Sequence, residues 1–275
     1  MLRQRVLVAA TLIPLALAVL WVGGWAFLFV GLLLLLLAGH EYLGLWQRQG
    51  LRPASWLTLA GMAALAGALY LFGPAWPAWL ALTGSGLALL AYHVVRYERH
   101  GGPEATAFSV ALAGVVYIGG MGGFLLALRV LPYGWFWNLL ALLTVWAADS
   151  AAYFVGMAWG RHRMAPRLSP KKSWEGFFGG LAGGLLAGVV WSALARSQGW
   201  LPPGFSLVWG AGVGLSLALL TPLGDLGQSL MKRQAGVKDS GRLLPGHGGV
   251  FDRIDSWLWA GPLVYWFARW FLGMG

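Results

Sequence analysis

The chain has 275 residues, of which 59% are hydrophobic and only 10% are charged. Soluble domains carry about 25% charged residues, so this composition excludes an ordinary water-exposed surface and indicates an integral membrane protein. The lack of cysteine excludes disulfides and cysteine-ligated metal sites. The net charge of +10 is more typical of basic residues beside anionic lipid than of a nucleic-acid-binding surface.

Apolar stretches long enough to cross a bilayer as a helix, about 20 residues, recur along the whole chain. In chain order they cover about 6–22, 25–46, 54–73, 76–95, 106–131, 135–158, 176–195, 204–225 and 254–273. The sequence therefore predicts an all-α polytopic integral membrane protein with about nine transmembrane helices. We interpret 1–275 as a single membrane domain with an N-terminal five-span part, 1–131, and a C-terminal four-span part, 135–275. No small-residue cleavage site precedes the second stretch, so we expect the first to remain as an uncleaved span.

The distribution of basic residues predicts the orientation. If the N-terminus is cytoplasmic, only three of the 19 Lys and Arg residues lie outside, namely Arg129, Arg196 and Arg269. The positive-inside rule requires such an asymmetry. We therefore expect a cytoplasmic N-terminus and a C-terminus on the outside.

Glycines recur every four residues in two predicted spans, at Gly119 and Gly123 and again at Gly180, Gly184 and Gly188. This spacing places small residues on one helix face and lets neighbouring backbones approach closely. We interpret both sets as helix-packing surfaces. We see no internal repeat of the kind that indicates an inverted-repeat transporter.

Two aspartates lie in or at the end of apolar stretches. Asp149 is inside the sixth stretch and Asp225 closes the eighth. A carboxylate near the centre of a spanning helix costs about 2.5–3.5 kcal/mol on insertion scales, and such residues usually face a polar cavity and mark function. The alternative for each is an interhelical hydrogen bond that only stabilises the bundle.

All four lysines lie in the two large cytoplasmic segments, whereas arginine occupies the basic positions elsewhere. Lys171 and Lys172 are in the first segment, and Lys232 and Lys238 are in the second. A lysine ammonium is a compact point charge that binds phosphate well. Ser173 is the predicted N-cap of the following helix, whose free amides would favour an anion. A basic anchor with an ordinary helix cap is the alternative.

The segment 229–255 combines five cations, three carboxylates, one histidine and several glycines. The glycines around His247 allow the backbone to approach a ligand closely. Asp252 and Asp255 would share one helix face if the ninth helix has begun there. Carboxylate oxygens beside phosphate-binding cations suit Mg²⁺, and a solvated loop would not need this density of functional groups.

This segment resembles the signature of the CDP-diacylglycerol synthases, also called phosphatidate cytidylyltransferases. The matching residues are Ser229-x-x-Lys232-Arg233, Lys238-Asp239, Pro245-x-His247-Gly-Gly and Asp252-Arg253-x-Asp255. The stretches Pro170-Lys-Lys-Ser-Trp-Glu-Gly176 and Asp149-Ser-x-x-Tyr153 are also similar to that family. The resemblance extends from about Asp149 to the end, and the first five spans match only in their hydropathy.

The resemblance implies a transfer of CMP from CTP to phosphatidic acid, which gives CDP-diacylglycerol and pyrophosphate and requires Mg²⁺, with a second cation left open. It implies a multi-pass protein of the bacterial inner membrane whose site faces the cytoplasm. CTP, phosphatidic acid and the lipid bilayer are the expected partners. No nucleic-acid partner is expected, and a homodimer is left open.

Residue roles follow from the charges of the reactants. Both reactants are anions, so metal and lysine charge must offset their repulsion and stabilise the leaving pyrophosphate. We expect four catalytic residues: Asp225, Asp252, Lys232 and His247. We expect the metal ligands to be Asp225, Asp252, Asp255 and Asp149. The expected substrate-binding residues are Lys171, Lys172, Ser173, Ser229, Arg233, Lys238, Asp239 and Arg253.

Three alternatives remain at this stage. CDP-alcohol phosphotransferases also use membrane carboxylates, but their Asp-Gly-x-x-Ala-Arg start is absent. A CTP-dependent enzyme that acts on another lipid phosphate, such as an isoprenoid-ether lipid, is harder to distinguish. A transporter for an anionic solute would carry charges within several spans, whereas the charges here cluster on one side.

Overall fold

The computed structural model describes residues 14–241, 243 and 248–274, and most of these residues are helical. The α-helices are 14–22 (α1), Gly24–Gln47 (α2), Ser55–Phe72 (α3), Trp76–His100 (α4), Glu104–Gly114 (α5), Met121–Ala127 (α6), Gly134–Trp159 (α7), Trp174–Ser197 (α8), Leu207–Leu220 (α9), Pro222–Gln234 (α10) and Phe251–Phe271 (α11). A π-helical segment, Val115–Gly120, and a short 3₁₀ segment, Leu128–Val130, adjoin α6.

Seven helical segments in the described part of the chain are long and apolar enough to cross a membrane. They are Gly24–Gln47, Ser55–Phe72, Trp76–His100, Glu104–Val130, Gly134–Trp159, Trp174–Ser197 and Leu207–Gln234. The predicted polytopic membrane protein is therefore confirmed. Of the first of the nine predicted spans, 6–22, residues 14–22 are present as α1, and the rest lies outside the described residues. The ninth is present as α11, a helix of 21 residues, but its charged and aromatic residues lower its hydropathy.

A small β-hairpin departs from the all-α prediction. Strand β1 (Arg163–Ala165) pairs antiparallel with β2 (Ser169–Ser173) in the connection between α7 and α8. The pairing continues to the start of α8, because Trp174 N donates to His162 O at 2.9 Å. The hairpin satisfies backbone groups that an irregular connection would leave to water.

The eighth predicted span is divided at Pro222. Because proline has no N–H, it cannot donate to the preceding turn, and α9 ends at Leu220 while α10 begins at Pro222. The hydroxyl of Thr221, the C-cap of α9, donates to Leu217 O at 2.8 Å in the last turn before the break. This break places Asp225 in the first turn of α10, where the helix dipole favours a negative charge.

The chain forms two compact units. The first comprises the described residues within Met1–Val130 and Met231–Ile254, and the second comprises Leu131–Leu230 and the described residues within Asp255–Gly275. Two of the boundaries fall within α10 and α11, so each of these helices supplies residues to both units. The interpretation of 1–131 and 135–275 as parts of one membrane domain stays a prediction.

In the first unit, α3 packs against α2, α4 and the segment from Val115 to Ala127. A Cβ atom on Gly119 would lie 2.7 Å from Met62 Cα, and one on Gly123 would lie 2.8 Å from Ala66 Cα. The predicted role of these glycines in helix packing is therefore confirmed.

In the second unit, α8 packs against α7 and α9. A Cβ atom on Gly184 would lie 2.6 Å from Ala218 Cβ, and one on Gly188 would lie 2.9 Å from the carbonyl carbon of Gly210. The glycine repeat of α8 thus lets two helix backbones approach closely, as predicted.

A buried charged network joins α4 to α5 in the first unit. The Glu104 carboxylate lies 2.5 Å from His93 Nδ1 and accepts a 2.8 Å hydrogen bond from Arg96 Nε. Both oxygens of this buried acid are therefore paired, as the cost of burying a lone charge requires. These contacts explain the buried Glu104 as a structural residue that connects α4 to α5.

Candidate active site

A buried ion pair between Lys232 and Asp252 is the first element of the site, in the first unit. Lys232 Nζ donates to Asp252 Oδ1 at 2.7 Å. The two side chains are only 12% and 5% exposed, so little water screens them. Lys232 is in the last turns of α10 and Asp252 is in the first turn of α11. The helix termini therefore hold a lysine at a fixed position, although the sequence separates the two residues by 20 positions.

The second oxygen of Asp252 binds backbone amides. Ser240 N and Gly249 N donate to Oδ2 at 2.9 and 3.0 Å. Burial alone would raise the pKa of Asp252, but the hydrogen bonds from Lys232 and these amides outweigh burial and hold the pKa below its ordinary value. Gly248 adopts φ +80°, and a Cβ there would lie 2.7 Å from Asp252 Oδ2. Only glycine combines this conformation with this close approach.

Glu41 of α2 also contacts this segment of the first unit, and our sequence analysis did not select it. Its carboxylate accepts hydrogen bonds from the Ser240 hydroxyl at 2.8 Å and from the amides of Val250 and Phe251 at 3.0 Å each. A signal was present, because Glu41 is a carboxylate near the end of an apolar stretch. An ionisable residue in a membrane segment usually has a polar partner and marks function, the argument that we applied to Asp149.

A second lysine–carboxylate pair belongs to the second unit. Lys172 Nζ lies 2.6 Å from Asp225 Oδ2, and the Ser229 hydroxyl donates to Asp225 Oδ1 at a long 3.4 Å. Asp149 of α7 interacts electrostatically with both Lys172 and Asp225. In the described part of the chain its carboxylate makes no hydrogen bond. Four residues that the sequence predicts for the site therefore lie together here.

The hairpin and the α8 N-terminus position Lys172. Lys172 lies on β2, and the next residue, Ser173, accepts a hydrogen bond from Gly176 N at 3.2 Å. The predicted N-cap is thereby confirmed. Glu175 accepts from the backbone amides of Arg161 and His162 at 3.1–3.2 Å. These contacts fix the strand and the helix start on either side of the lysine.

The other predicted site residues are more open. Lys171, Lys238, Asp239 and Arg253 are exposed. Arg233 is exposed and donates to Val237 O at 3.4 Å. Asp255 accepts from Ser256 N at 2.8 Å. His247 lies outside the described residues. The assigned roles of all these residues stay predictions.

The carboxylates of the second unit suit Mg²⁺. Within 14–241, 243 and 248–274 no group of three or more His, Asp or Glu residues is placed to hold a metal. Mg²⁺ in nucleotide enzymes, however, is commonly held by one or two carboxylates together with substrate phosphates. Asp149 and Asp225 provide two such carboxylates, and the first has no hydrogen-bond partner among these residues. Asp252, in contrast, already binds a lysine and two amides.

The fold and the site define a polytopic membrane protein with lysine–carboxylate clusters at the ends of its helices. A model of the cytidylyltransferase family matches residues 3–271. The chain therefore belongs to the cytidylyltransferase family.

Individual relatives agree with the family. The chain is 33% identical to a phosphatidate cytidylyltransferase of Synechocystis sp., over 96% of the chain and 95% of the relative. Over 137 residues, which are 50% of the chain, the sequence is 42% identical to a phosphatidate cytidylyltransferase of Brucella suis and 39% identical to one of Haemophilus influenzae. These matches cover 48% and 47% of the two relatives.

Proposed function

We propose that the chain is a phosphatidate cytidylyltransferase that converts CTP and phosphatidic acid into CDP-diacylglycerol and pyrophosphate. The similarity to the Synechocystis enzyme along nearly the whole chain carries this proposal. The two lysine–carboxylate clusters support it, because they supply the charge that a reaction between two anions needs.

The reaction needs no nucleophile from the protein. A phosphate oxygen of phosphatidic acid attacks the α-phosphorus of CTP, a new P–O bond forms, and the bond between the α-phosphorus and its bridging oxygen to the β-phosphate breaks. Pyrophosphate leaves with the bond's electron pair. Lys232 and Lys172 offset the repulsion between the reactants and stabilise the departing charge. Arg233, Lys238 and Arg253 bind phosphate groups at the exposed surface.

Asp149 and Asp225 would hold Mg²⁺ through their carboxylate oxygens. The bound ion would supply positive charge that neutralises the nucleotide phosphates. Lys172 already contacts Asp225, so the lysine charge and a metal charge would act at the same carboxylate. Because both Asp252 oxygens are engaged, we assign Asp252 first to the positioning of Lys232.

The acceptor and metal requirements test this function. The purified wild-type chain should form CDP-diacylglycerol from CTP and phosphatidic acid. It should form no CDP-lipid from diacylglycerol, which has no phosphate group to act as the nucleophile. A chelator should remove the activity and added Mg²⁺ should restore it. A preference for an isoprenoid-ether lipid phosphate over phosphatidic acid, measured by mass spectrometry of the lipid product, would favour the alternative substrate.

We further propose nine spans in a bacterial inner membrane, with the N-terminus and the catalytic segments in the cytoplasm. The positive-inside asymmetry supports this orientation. On this topology, Glu98 lies in the cytoplasm and Gln198 lies outside.

The absence of cysteine from the chain makes the topology directly testable. In intact spheroplasts, a membrane-impermeant maleimide should label the Gln198→Cys variant and should label Glu98→Cys only after the membrane is permeabilised. The opposite pattern, or labelling of both variants before permeabilisation, would contradict the proposed orientation.

A further inference from the structure

We propose that Glu41 is a positioning residue that holds the Lys232–Asp252 pair in place through the segment between α10 and α11. This inference rests on the proposed cytidylyltransferase function for its kinetic consequence. Its structural part concerns only residues of the first unit. Glu41 lies on α2, about 200 positions before the residues that it contacts.

Both oxygens of the Glu41 carboxylate accept hydrogen bonds from this segment. Oε1 accepts from Val250 N at 3.0 Å, and Oε2 accepts from Phe251 N at 3.0 Å and from the Ser240 hydroxyl at 2.8 Å. Phe251 is the first residue of α11, and Val250 directly precedes it. Their amides have no acceptor within the helix, so Glu41 caps α11 from a distant helix. A negative charge there is also favoured by the helix dipole.

Ser240 links Glu41 to Asp252 directly. Its hydroxyl donates to Glu41 Oε2, while its backbone N–H donates to Asp252 Oδ2 at 2.9 Å. On the other side of the segment, Gly249 N donates to Asp252, and the next two amides donate to Glu41. Consecutive amides of one stretch of backbone, from Gly249 to Phe251, therefore bind the two carboxylates. A shift of this backbone would move the acceptor that orients Lys232.

Two glycines make space for the Glu41 carboxylate. A Cβ atom on Gly241 would lie 2.6 Å from Glu41 Cδ, and one on Gly249 would lie 2.5 Å from the same atom. Neither glycine has a positive φ, so backbone conformation does not demand glycine at these positions. The close approach of the Glu41 carboxylate explains why glycine occupies both positions.

Aromatic packing places α2 against the same helix start. Phe251 is fully buried, and its ring contacts those of Tyr42 and Tyr117 edge-on, with centroids 6.0 and 6.3 Å apart. Tyr42 is itself held by a 2.9 Å hydrogen bond to Val110 O. Glu41 therefore projects from a well-packed part of α2. A residue held in this way can fix the position of the segment that it binds.

The test compares Glu41→Gln with wild type and with Glu98→Gln, a control that removes an exposed carboxylate with no ion pair in the described part of the chain. A glutamine amide keeps the size of Glu41 but has only one acceptor oxygen. The backbone or hydroxyl donors that bind one of the two carboxylate oxygens therefore lose their acceptor. We expect kcat to fall by about 10–100-fold, the usual cost of removing a group that orients a functional residue. The KM for CTP should stay within about twofold, since substrate contacts are retained.

Hydrogen exchange provides a readout independent of activity. In Glu41→Gln, the amides of Ser240, Val250 and Phe251 should exchange faster, while amides of α3 should exchange as in wild type. Ser240→Ala should lower kcat as well, and its combination with Glu41→Gln should cost less than the two separate losses together, because both changes break one network.

The outcomes separate the two proposals. An unchanged kcat in Glu41→Gln, unchanged exchange at these amides, or faster exchange throughout the first unit would each overturn the positioning role. A wild-type chain that forms no CDP-lipid would overturn the proposed function. The exchange measurement would still decide whether Glu41 holds this segment.

Discussion

Lys232→Ala should lower kcat for CDP-diacylglycerol formation by about 10²–10³-fold, the usual cost of removing one preorganised group that stabilises developing charge. Lys232 is held by Asp252 at 2.7 Å, and both side chains are largely removed from water. The substitution removes the cation from the site and leaves a buried carboxylate with only its amide donors. Initial rates of lipid product formation at saturating CTP provide the measurement.

The control for this prediction is Arg99→Ala, which removes an exposed positive charge from α4 of the same unit. It should retain wild-type activity, because net charge alone should not matter. Asp252→Asn should also be strongly impaired, and the double variant with Lys232→Ala should be little worse than the poorer single variant, since residues that act as a unit are not additive. Full activity of folded Lys232→Ala would remove this lysine from the site.

Asp225→Asn should lower activity by more than about 100-fold, because substitution of a group that only supports a metal ligand already costs 10–100-fold. The change keeps the side-chain size but removes the charge that faces Lys172 Nζ at 2.6 Å. If Asp225 binds Mg²⁺, the residual activity should also need a higher Mg²⁺ concentration for half-saturation. A Mg²⁺ titration of single-turnover rates measures both effects.

Lys172→Met distinguishes the metal role of Asp225 from its ion pair. It removes the same contact but leaves the carboxylate, so activity should fall while the Mg²⁺ concentration for half-saturation does not rise. Arg196→Ala, which removes an exposed cation from the end of α8, should behave like wild type. Equal Mg²⁺ requirements in Asp225→Asn and wild type would show that Asp225 is not a ligand.

Local sequence signals predicted several features correctly because their physical causes are local. Ser173 caps α8 since a hydroxyl directly before a helix can accept from its first free amides. Gly184 and Gly188 pack against α9 because their spacing exposes one bare helix face. The hydropathy of seven helical segments is likewise a property of consecutive residues.

Other features depended on contacts that no local pattern encodes. Glu41 meets Phe251 across 210 positions, and Lys172 meets Asp225 across 53. The β-hairpin is too short for a clear alternation of polar and apolar residues, so we predicted only a connection there. Two of the donors around Asp252, Lys232 and Ser240, are also distant from it in sequence, and its metal role stays a prediction.

The most direct test of the central claim follows the two ends of CTP separately. The purified chain is incubated with phosphatidic acid, Mg²⁺ and CTP labelled either at the α-phosphorus or at the γ-phosphorus. Cytidylyl transfer predicts that the α-label enters the lipid fraction and the γ-label appears only in pyrophosphate, with both signals lost in Asp252→Asn. Label from the γ-position in the lipid, or no labelled lipid from either labelled form of CTP, would contradict the account.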